Sequence, residues 1–238
     1  MTHDGPPHGA GASRRFYEEL SGRTLHPFTA RGIQYRNRVV ASHVDRGLRM
    51  VLEVGPGEGG LTRLLVDRGH RVSALDLAVG WLKRLPEGVT RVAGELTALP
   101  FADRSFDAVV AAEVIEHIPE LDRALSEAAR VLRPGGRLVV TVPYRETLSF
   151  VTCPECGARF EVNGHVHRFE GPELAESLRL HGLAVRSRFV GSSRFAREIL
   201  RRFPMGAFLP LIVGVDRLTY SSQRVSDTWM LMSAERTA

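Results

Sequence analysis

The sequence predicts an α/β protein in which a mostly parallel sheet carries helices on both faces. The first observation behind this class is the stretch VLEVGPGEGG at 51–60, where an apolar run ends in an acid and leads into closely spaced glycines. This pattern is typical of a buried strand followed by a ligand-binding turn. The second observation is that apolar runs alternate with amphipathic segments as far as 143, as they do in βαβ units. Right-handed crossovers then place the ligand crevice at the carboxyl ends of the strands.

The remaining elements follow from the same alternation of apolar periods. Helices are expected at 14–21, 31–46, 58–69, 78–85 and 119–132, and strands at 71–76, 89–94, 106–112, 137–143 and 183–190, with SDTWMLMSAER as the last strand. The first two helices precede the first strand and could cap the pocket. The helix at 119–132 begins at Pro119, which suits a first turn, and ends at Pro134-Gly135-Gly136.

Length and composition fit one globular domain with a single substantial core. The chain has 238 residues, of which 43% are hydrophobic and 25% charged. We expect a tail with capping helices at 1–47 and the main domain at 48–238, with an insertion at 144–169. No run of about 18 apolar residues is present, which argues against a transmembrane helix. The amino-terminal stretch lacks the apolar core of a signal peptide, so a cytoplasmic location is expected.

The charge balance does not favour a nucleic-acid partner. The formal net charge is +5 and the pI is about 9.8, but the arginines are interleaved with acids along the whole chain. No basic stripe studded with aromatic residues is present. A small-molecule substrate is therefore preferred, and RNA or DNA is kept as the alternative.

The glycine turn and the acids near it indicate a nucleoside-containing ligand. Gly55, Gly57 and Gly59 can adopt positive φ and let a ligand lie against bare backbone, while Glu53 points into the same crevice. Asp76 ends the next strand, where its carboxylate can accept hydrogen bonds from both ribose hydroxyls. The same glycines also satisfy the G-x-G-x-x-G pattern of dinucleotide enzymes, so these residues alone leave a nicotinamide dinucleotide open.

The segments after the second strand carry a family resemblance. GELTALPFADRSFDAVVAAEVIEHI at 94–118, ELDRALSEAARVLRPGG at 120–136 and RLVVTVPY at 137–144 follow VLEVGPGEGG and ALDLAVGWL in order. With these motifs the chain resembles the class I S-adenosylmethionine-dependent methyltransferases over about residues 50–190, particularly the bacterial group that methylates small molecules. The resemblance implies a Rossmann-like, seven-stranded sheet whose last strand inserts antiparallel. It also implies methyl transfer to an oxygen, nitrogen or carbon atom in a biosynthetic or secondary-metabolite pathway.

The resemblance also implies which residues hold the cofactor. They are Glu53, Gly55, Gly57, Gly59, Asp76, Leu77, Glu95, Leu96 and Glu113. The backbone of the glycine turn and Glu53 would hold the methionine moiety, Asp76 the ribose hydroxyls, and Leu77 the adenine face. Glu95 and Leu96 stand where the family usually has an Asp that meets the adenine amino group. Glu113 would close the methionine side.

The segment CPECGARFEVNGHVHRF at 153–169 predicts a small zinc-knuckle-like loop. Cys153 and Cys156 have the spacing of two zinc thiolates, and His165 and His167 could complete a tetrahedral Cys2His2 set. Free thiols or a disulfide are the alternatives. The family also carries a G-H-x-x-x-F element that matches this segment, so His165 could serve the pocket while Glu161 replaces it as a ligand. A catalytic zinc is not expected, because methyl transfer from a sulfonium needs no Lewis acid.

Catalysis in this family rests mainly on alignment, and a general base is needed only when the acceptor holds its proton tightly. The candidates are His165, His117 and Tyr144, with His167 as a further histidine near them. For His117 the alternative is a packing role at the start of a helix.

The acceptor pocket is expected to come from the amino-terminal helices, the insertion at 144–169 and residues 191–225. The last region contains the apolar stretch FPMGAFLPLIVGVDRL at 203–218, which could be a lid, the site of a hydrophobic acceptor or a dimer face. A protein that binds the cofactor without transferring methyl is a further alternative. A nucleic-acid methyltransferase is disfavoured because AAEVIEHI stands where its N/D-P-P-Y/F tetrapeptide would be.

Overall fold

The structure is a computed structural model that describes residues 27–152, 154, 157, 159–192 and 228–237. The predicted helix at 14–21, the apolar stretch at 203–218 and both cysteines lie outside these residues. Within them, no helix is long and apolar enough to span a membrane.

The described elements alternate as the sequence predicts. The helices are α1 (Pro27–Ser42), α2 (Gly60–Asp67), α3 (Val79–Leu82), α4 (Leu121–Val131) and α5 (Gly171–Leu180), with a 3-10 turn at Ile115–His117. The strands are β1 (Met50–Val54), β2 (Arg71–Asp76), β3 (Thr90–Ala93), β4 (Phe106–Ala112), β5 (Leu132–Pro143), β6 (Phe150–Thr152), β7 (Arg159–Glu161), β8 (Leu183–Ser192) and β9 (Thr228–Arg236).

Seven of these strands form one sheet in the order β3-β2-β1-β4-β5-β9-β8. The pairs from β3 to β5 are parallel, and β9 runs antiparallel to both of its neighbours, β5 and β8. The predicted seven-stranded, mostly parallel sheet with an inserted antiparallel last strand is therefore confirmed. In the order of the sheet, β1 lies between β2 and β4, so the loops after these three strands share one edge.

Helices cover both faces of this sheet, as predicted. Successive residues of β1 alternate between two apolar clusters, with Leu52 on one side and Val51 on the other. The Leu52 cluster contains Leu125 of α4 and Leu174 of α5, and the Val51 cluster contains residues of α1, α2 and α3. Both faces of this part of the sheet are thus buried, which explains why β1 and β4 are mostly apolar.

Several element boundaries differ from the sequence prediction. The helix expected at 31–46 runs from Pro27 to Ser42, where the Ser42 hydroxyl donates to the Val39 carbonyl at 2.6 Å and competes with the helix ladder. The helix expected at 78–85 is only the four residues Val79–Leu82 and ends before Pro86, whose ring disfavours helix at the preceding residue. Strand β5 starts at Leu132, five residues before the predicted strand.

The insertion contains a two-stranded antiparallel ribbon of β6 and β7 that the sequence does not predict. Thr152 pairs with Arg159, so the connection between these strands carries both cysteines. The zinc-knuckle part of the fold prediction stays a prediction.

Candidate functional site

The glycine turn lies at the carboxyl edge of the sheet. Its backbone has φ of +67° at Gly55, +50° at Gly57 and +73° at Gly59, a region that favours glycine. A Cβ at Gly55 would lie 2.6 Å from Val114 Cγ2, and one at Gly59 would lie 2.7 Å from Leu85 Cδ2. A Cβ at Gly57 would meet no described atom within 4 Å. Gly55 and Gly59 therefore serve close packing as well as conformation, while Gly57 presents bare backbone to an open face.

Glu53 is the buried acid beneath this turn. Its side chain sits near the end of β1 with only 2% exposure, and its Oε2 has no hydrogen-bond partner in the described part of the chain. Burial raises the pKa of Glu53 to about 7; the nearby Thr62 hydroxyl lowers it and the charge of Asp76 raises it further. A buried acceptor oxygen without a partner is costly, which marks this position as one shaped for a polar ligand.

Asp76 and its neighbours form the next part of the edge. Asp76 Oδ1 accepts a 2.8 Å hydrogen bond from the Ala78 amide, which fixes the orientation of the carboxylate. The backbone N–H of Gly94 donates to the Asp76 carbonyl at 3.1 Å, so the loop after β3 lies against the end of β2. Leu96 on that loop is buried, while Leu77 is half-buried. Glu95, half-buried like Leu77, precedes Leu96. The predicted ribose and adenine residues thus lie at adjacent strand ends.

Glu113 follows β4 and has a left-handed backbone, with φ of +57°. Its amide donates to the Thr141 carbonyl at 2.9 Å, and its Oε2 lies 3.2 Å from Nη1 of Arg36 on α1. Both side chains are largely buried. Arg36 is thus a candidate site residue that sequence reasoning missed. The only available signal was a cation on a helix expected to cap the pocket.

Just beyond Glu113, the 3-10 turn brings Glu116 and His117 to His165 of the insertion. One possible ligand atom from each of the three lies within 4.8 Å of the others. Glu116 is 1% exposed, and neither of its carboxylate oxygens has a hydrogen-bond partner among the described residues. Burial raises the pKa of Glu116 well above its ordinary value, and the charge of Glu113 adds to the effect. The sequence predictions included both histidines but not Glu116.

The two histidine rings are 4.7 Å apart between centroids. Nδ1 of His117 lies 3.2 Å from the Gly164 carbonyl, and Nδ1 of His165 lies 2.5 Å from Glu146 Oε2. Burial, and then the charge of His165, lower the pKa of His117 to about 4. Burial also acts to lower the pKa of His165, but the hydrogen bond and charge of Glu146 outweigh it and the net shift is upward.

The other predicted residues of the insertion have different partners. Nε2 of His167 donates to the Ile118 carbonyl at 2.8 Å. The carboxylate of Glu161 accepts backbone N–H bonds from Ser149 at 3.2 Å, Asn163 at 2.7 Å and His165 at 2.9 Å. Although burial acts against it, these bonds hold the pKa of Glu161 below its ordinary value. Glu161 therefore organises the loop that carries His165.

Tyr144 follows β5 and belongs to the core cluster on the α4 side of the sheet. Its ring is 7% exposed and lies under the guanidinium of Arg145, 5.3 Å from the ring centroid. Its backbone pairs with Phe169, which joins the start of the insertion to its end.

Comparison with known proteins agrees with this architecture. The family model described as "Methyltransferase domain" matches residues 52–140. A demethylmenaquinone methyltransferase from Renibacterium salmoninarum is 45% identical over 94 residues, which cover 38% of this chain and 39% of that protein. A malonyl-[acyl-carrier protein] O-methyltransferase from Methylococcus capsulatus is 38% identical over 133 residues, covering 50% of this chain and 48% of that protein.

Among solved structures, a 1,6-didemethyltoxoflavin-N1-methyltransferase from Burkholderia thailandensis has the same fold. It aligns with a TM-score of 0.64 and 20% identity, covering 100% of this chain and 93% of that one. That structure contains 1,6-didemethyltoxoflavin and S-adenosylhomocysteine.

The sheet order and these matches agree with the Rossmann-like fold of methyltransferases. Over residues 52–140 the chain matches the methyltransferase-domain family, in agreement with the class I S-adenosylmethionine-dependent methyltransferases that its sequence motifs resemble. It spans less than half the length of the two curated relatives described above.

The residues of the crevice fit the cofactor of this family. The unpartnered oxygen of Glu53 and the open face at Gly57 are complementary to a polar, backbone-hugging group such as the methionine moiety. Asp76 at the neighbouring strand end offers the acceptor that ribose hydroxyls need.

Proposed function

We propose that the chain transfers a methyl group from S-adenosylmethionine to an oxygen, nitrogen or carbon atom of a small molecule, in a biosynthetic or secondary-metabolite pathway. The observation that carries the proposal is the buried, unpartnered oxygen of Glu53 directly beneath a turn whose Gly57 face is open. Without a polar ligand there, the fold would bury a carboxyl group at a cost and gain nothing from it.

The cofactor-binding residues are proposed as the family resemblance assigns them. Glu53 and the glycine turn hold the methionine moiety, and Asp76 holds the ribose hydroxyls. Leu77, Glu95 and Leu96 surround the adenine. Glu113, positioned by its ion pair with Arg36, closes the methionine side. The support is that all of these groups lie at the ends of adjacent strands or on the loops that follow them.

When bound, the cofactor supplies an electrophilic methyl group on a positively charged sulfur. The protein's own contribution is to align the acceptor with that methyl group and to exclude water, and good alignment can supply roughly 7–11 kcal/mol. The insertion is the proposed acceptor side, since Val166 and His167 both donate backbone N–H bonds to the Glu116 carbonyl and so join it to the crevice. For an acceptor that must lose a proton, His165 is the proposed base, with His117 and Tyr144 as alternatives.

Asp76→Ala tests the cofactor assignment. We expect the affinity for S-adenosylhomocysteine to fall by about 1–3 kcal/mol, because the ribose hydroxyls lose their acceptor inside the crevice. Calorimetry measures this change, and methyl-labelled S-adenosylmethionine with a panel of acceptors measures transfer. Asp67→Ala, which removes an exposed acid at the end of α2, is the matched control. An affinity for Asp76→Ala equal to that of the wild type would refute the assignment.

We also propose a structural zinc site at the connection between β6 and β7, with Cys153 and Cys156 as ligands and His165 and His167 as the predicted partners. The support is the spacing of the cysteines at the end of a two-stranded ribbon. Cys153→Ser is expected to lower the zinc content and to make residues 144–169 more sensitive to protease. Elemental analysis and limited proteolysis measure both effects. Unchanged zinc content and cleavage would exclude the site.

A further inference from the structure

We propose that Glu116, His117 and His165 bind a divalent cation at the acceptor side of the crevice. The cluster is not needed for the cofactor. With His165 and His117 bound to this ion, Glu161 would take the place of His165 in the zinc set, and Tyr144 would remain as the candidate base. Its three possible ligand atoms lie within 4.8 Å of one another. An ion about 2.1 Å from each atom needs them no more than about 4.2 Å apart, so small side-chain rotations complete the site.

The first argument is the state of Glu116. This side chain is 1% exposed, and both of its oxygens are without a hydrogen-bond partner in the residues that the structure describes. The carboxylates of Glu113 and Glu146 face the same region. The cation Arg36 is paired with Glu113 at 3.2 Å. A buried carboxyl group among other acids, near a single cation and without a hydrogen-bond partner in the described part of the chain, would ionise and be stabilised by a bound divalent cation.

The second argument is the orientation of the two imidazoles. Nδ1 of His117 lies 3.2 Å from the Gly164 carbonyl and Nδ1 of His165 lies 2.5 Å from the Glu146 carboxylate. In its neutral form, each ring would carry its proton on Nδ1 and offer the lone pair of Nε2 to an ion. Histidines that bind metals are usually oriented in this way, through a hydrogen bond from the other ring nitrogen to a carbonyl or carboxylate. Glu146 is thus a positioning residue for His165.

The backbone holds this arrangement in place. The Glu116 carbonyl accepts N–H bonds from Val166 at 2.8 Å and from His167 at 3.2 Å, which fixes the insertion against the 3-10 turn. Gly164, with φ of +74°, provides the turn that directs its carbonyl toward His117. The site therefore joins two segments that are 48 residues apart between His117 and His165.

The donor set defines the class of ion and of acceptor. Two imidazoles and one carboxylate suit first-row divalent cations such as Mn²⁺, Fe²⁺, Co²⁺ or Zn²⁺ and leave coordination positions open. An ion at this place favours an acceptor that presents an oxygen atom to it, such as a hydroxyl, phenol or carboxylate. This role for the ion rests on the proposed methyl transfer, but the binding of the ion does not.

The test is a titration of the full chain with Mn²⁺, after a chelator has removed any bound metal. Electron paramagnetic resonance measures the concentration of free Mn²⁺ at each step. Mn²⁺ is chosen because thiolates do not prefer it, so the cysteines do not compete. We expect one equivalent to bind to the wild type. Glu116→Gln and His117→Gln should each weaken binding at least about tenfold, and Glu146→Gln about 10- to 100-fold, as for other residues that orient a ligand.

His181→Gln is the matched control, because this histidine also directs Nδ1 to a carbonyl, that of Ser177 at 2.7 Å, and has a carboxylate, Asp122, near Nε2. It should bind Mn²⁺ as the wild type does.

Thermal unfolding with and without Mn²⁺ shows whether Glu116 acts as a metal ligand or only supports the fold. Without metal, Glu116→Gln should unfold at the wild-type temperature or above it, because an amide of the same size replaces a buried carboxyl group that has no hydrogen-bond partner among the described residues. It should also lose the upward shift that Mn²⁺ gives the wild type.

No binding of Mn²⁺ by the wild type, or wild-type binding by Glu116→Gln, would overturn the proposal. Binding of S-adenosylhomocysteine is measured on the same samples. Loss of that binding in Asp76→Ala with intact Mn²⁺ binding supports both sites separately. Failure of the cofactor to bind the wild type overturns the proposed function and leaves the Mn²⁺ result to stand on its own.

Discussion

Replacing Glu53 by Gln is expected to remove a pH-dependent part of the stability amounting to about 3 kcal/mol. Burial raises the pKa of Glu53 to about 7 in the folded protein, from an ordinary value of 4.5. The folded state therefore keeps a proton that the unfolded chain releases. The resulting stabilisation is complete below pH 4.5, declines as the pH rises toward 7, and is lost above it. Glu53→Gln lacks this decline, so above pH 7 it should be more stable than the wild type.

Denaturant unfolding at several pH values measures the difference in the free energy of unfolding between the two proteins. Glu58→Gln is the matched control, because Glu58 lies in the same turn but is exposed. In Glu58→Gln, the free energy of unfolding should change with pH as it does in the wild type. A Glu53→Gln protein with the same slope as the wild type would show that Glu53 does not hold a proton in the folded state.

The same carboxyl group should make the affinity for the cofactor depend on pH. The ionised form of Glu53 can pair with the ammonium group of the methionine moiety, whereas the protonated form loses that attraction. Affinity for S-adenosylhomocysteine should therefore rise with pH up to about 7 in the wild type. In Glu53→Gln this part of the pH dependence should be absent, and the affinity should be low throughout.

The glycine turn gives the second large effect, because Gly55 and Gly57 differ in what surrounds them. Gly55→Ala would place a Cβ 2.6 Å from Val114 at a φ of +67°, so left-handed strain and overpacking together should cost about 2–5 kcal/mol of folding stability. Gly57→Ala has the backbone strain alone, about 1–2 kcal/mol, since no described atom lies within 4 Å.

Gly57→Ala should therefore lower the affinity for S-adenosylhomocysteine by more than its small effect on folding stability would explain. If the cofactor lies on this face, the added methyl group of Gly57→Ala should lower the affinity for S-adenosylhomocysteine at least about tenfold, as a misfit contact costs 1.4 kcal/mol or more. Gly69→Ala, at a φ of +92° beyond α2 and also with open space, should show the same loss of stability with no loss of affinity. Equal affinities of the two variants would place the cofactor elsewhere.

The fold was predictable because its strands and turns depend on local patterns. The mostly apolar stretch from Val51 to Val54 and the glycines after it are contiguous in sequence, and a strand buried on both faces needs mostly apolar residues. The order of the motifs then identified the family and, through it, the antiparallel last strand. The end of α1 depends on the hydrogen bond of Ser42, and the end of α3 on Pro86. A prediction from the spacing of apolar residues does not include either feature.

The composition of the site was less predictable, because its partners are distant in sequence. The Arg36–Glu113 pair joins a helix to a strand end 77 residues away, and nothing in either segment specifies the other. Glu116 is one of 27 acids, and only its burial without a partner distinguishes it. The pattern of His165 and His167 suggested two ligands facing one way, whereas their ring nitrogens contact Glu146 and Ile118 respectively.

Glu113 carries a consequence for any effort to make this protein more robust. Its left-handed backbone, with φ of +57°, is a conformation that glycine would adopt without penalty. A glycine there would relax the chain but delete the carboxylate that meets Arg36. If Glu113 holds the cofactor as proposed, thermal stability and cofactor binding make opposite demands on this one position, and variants selected for heat resistance alone would lose the carboxylate.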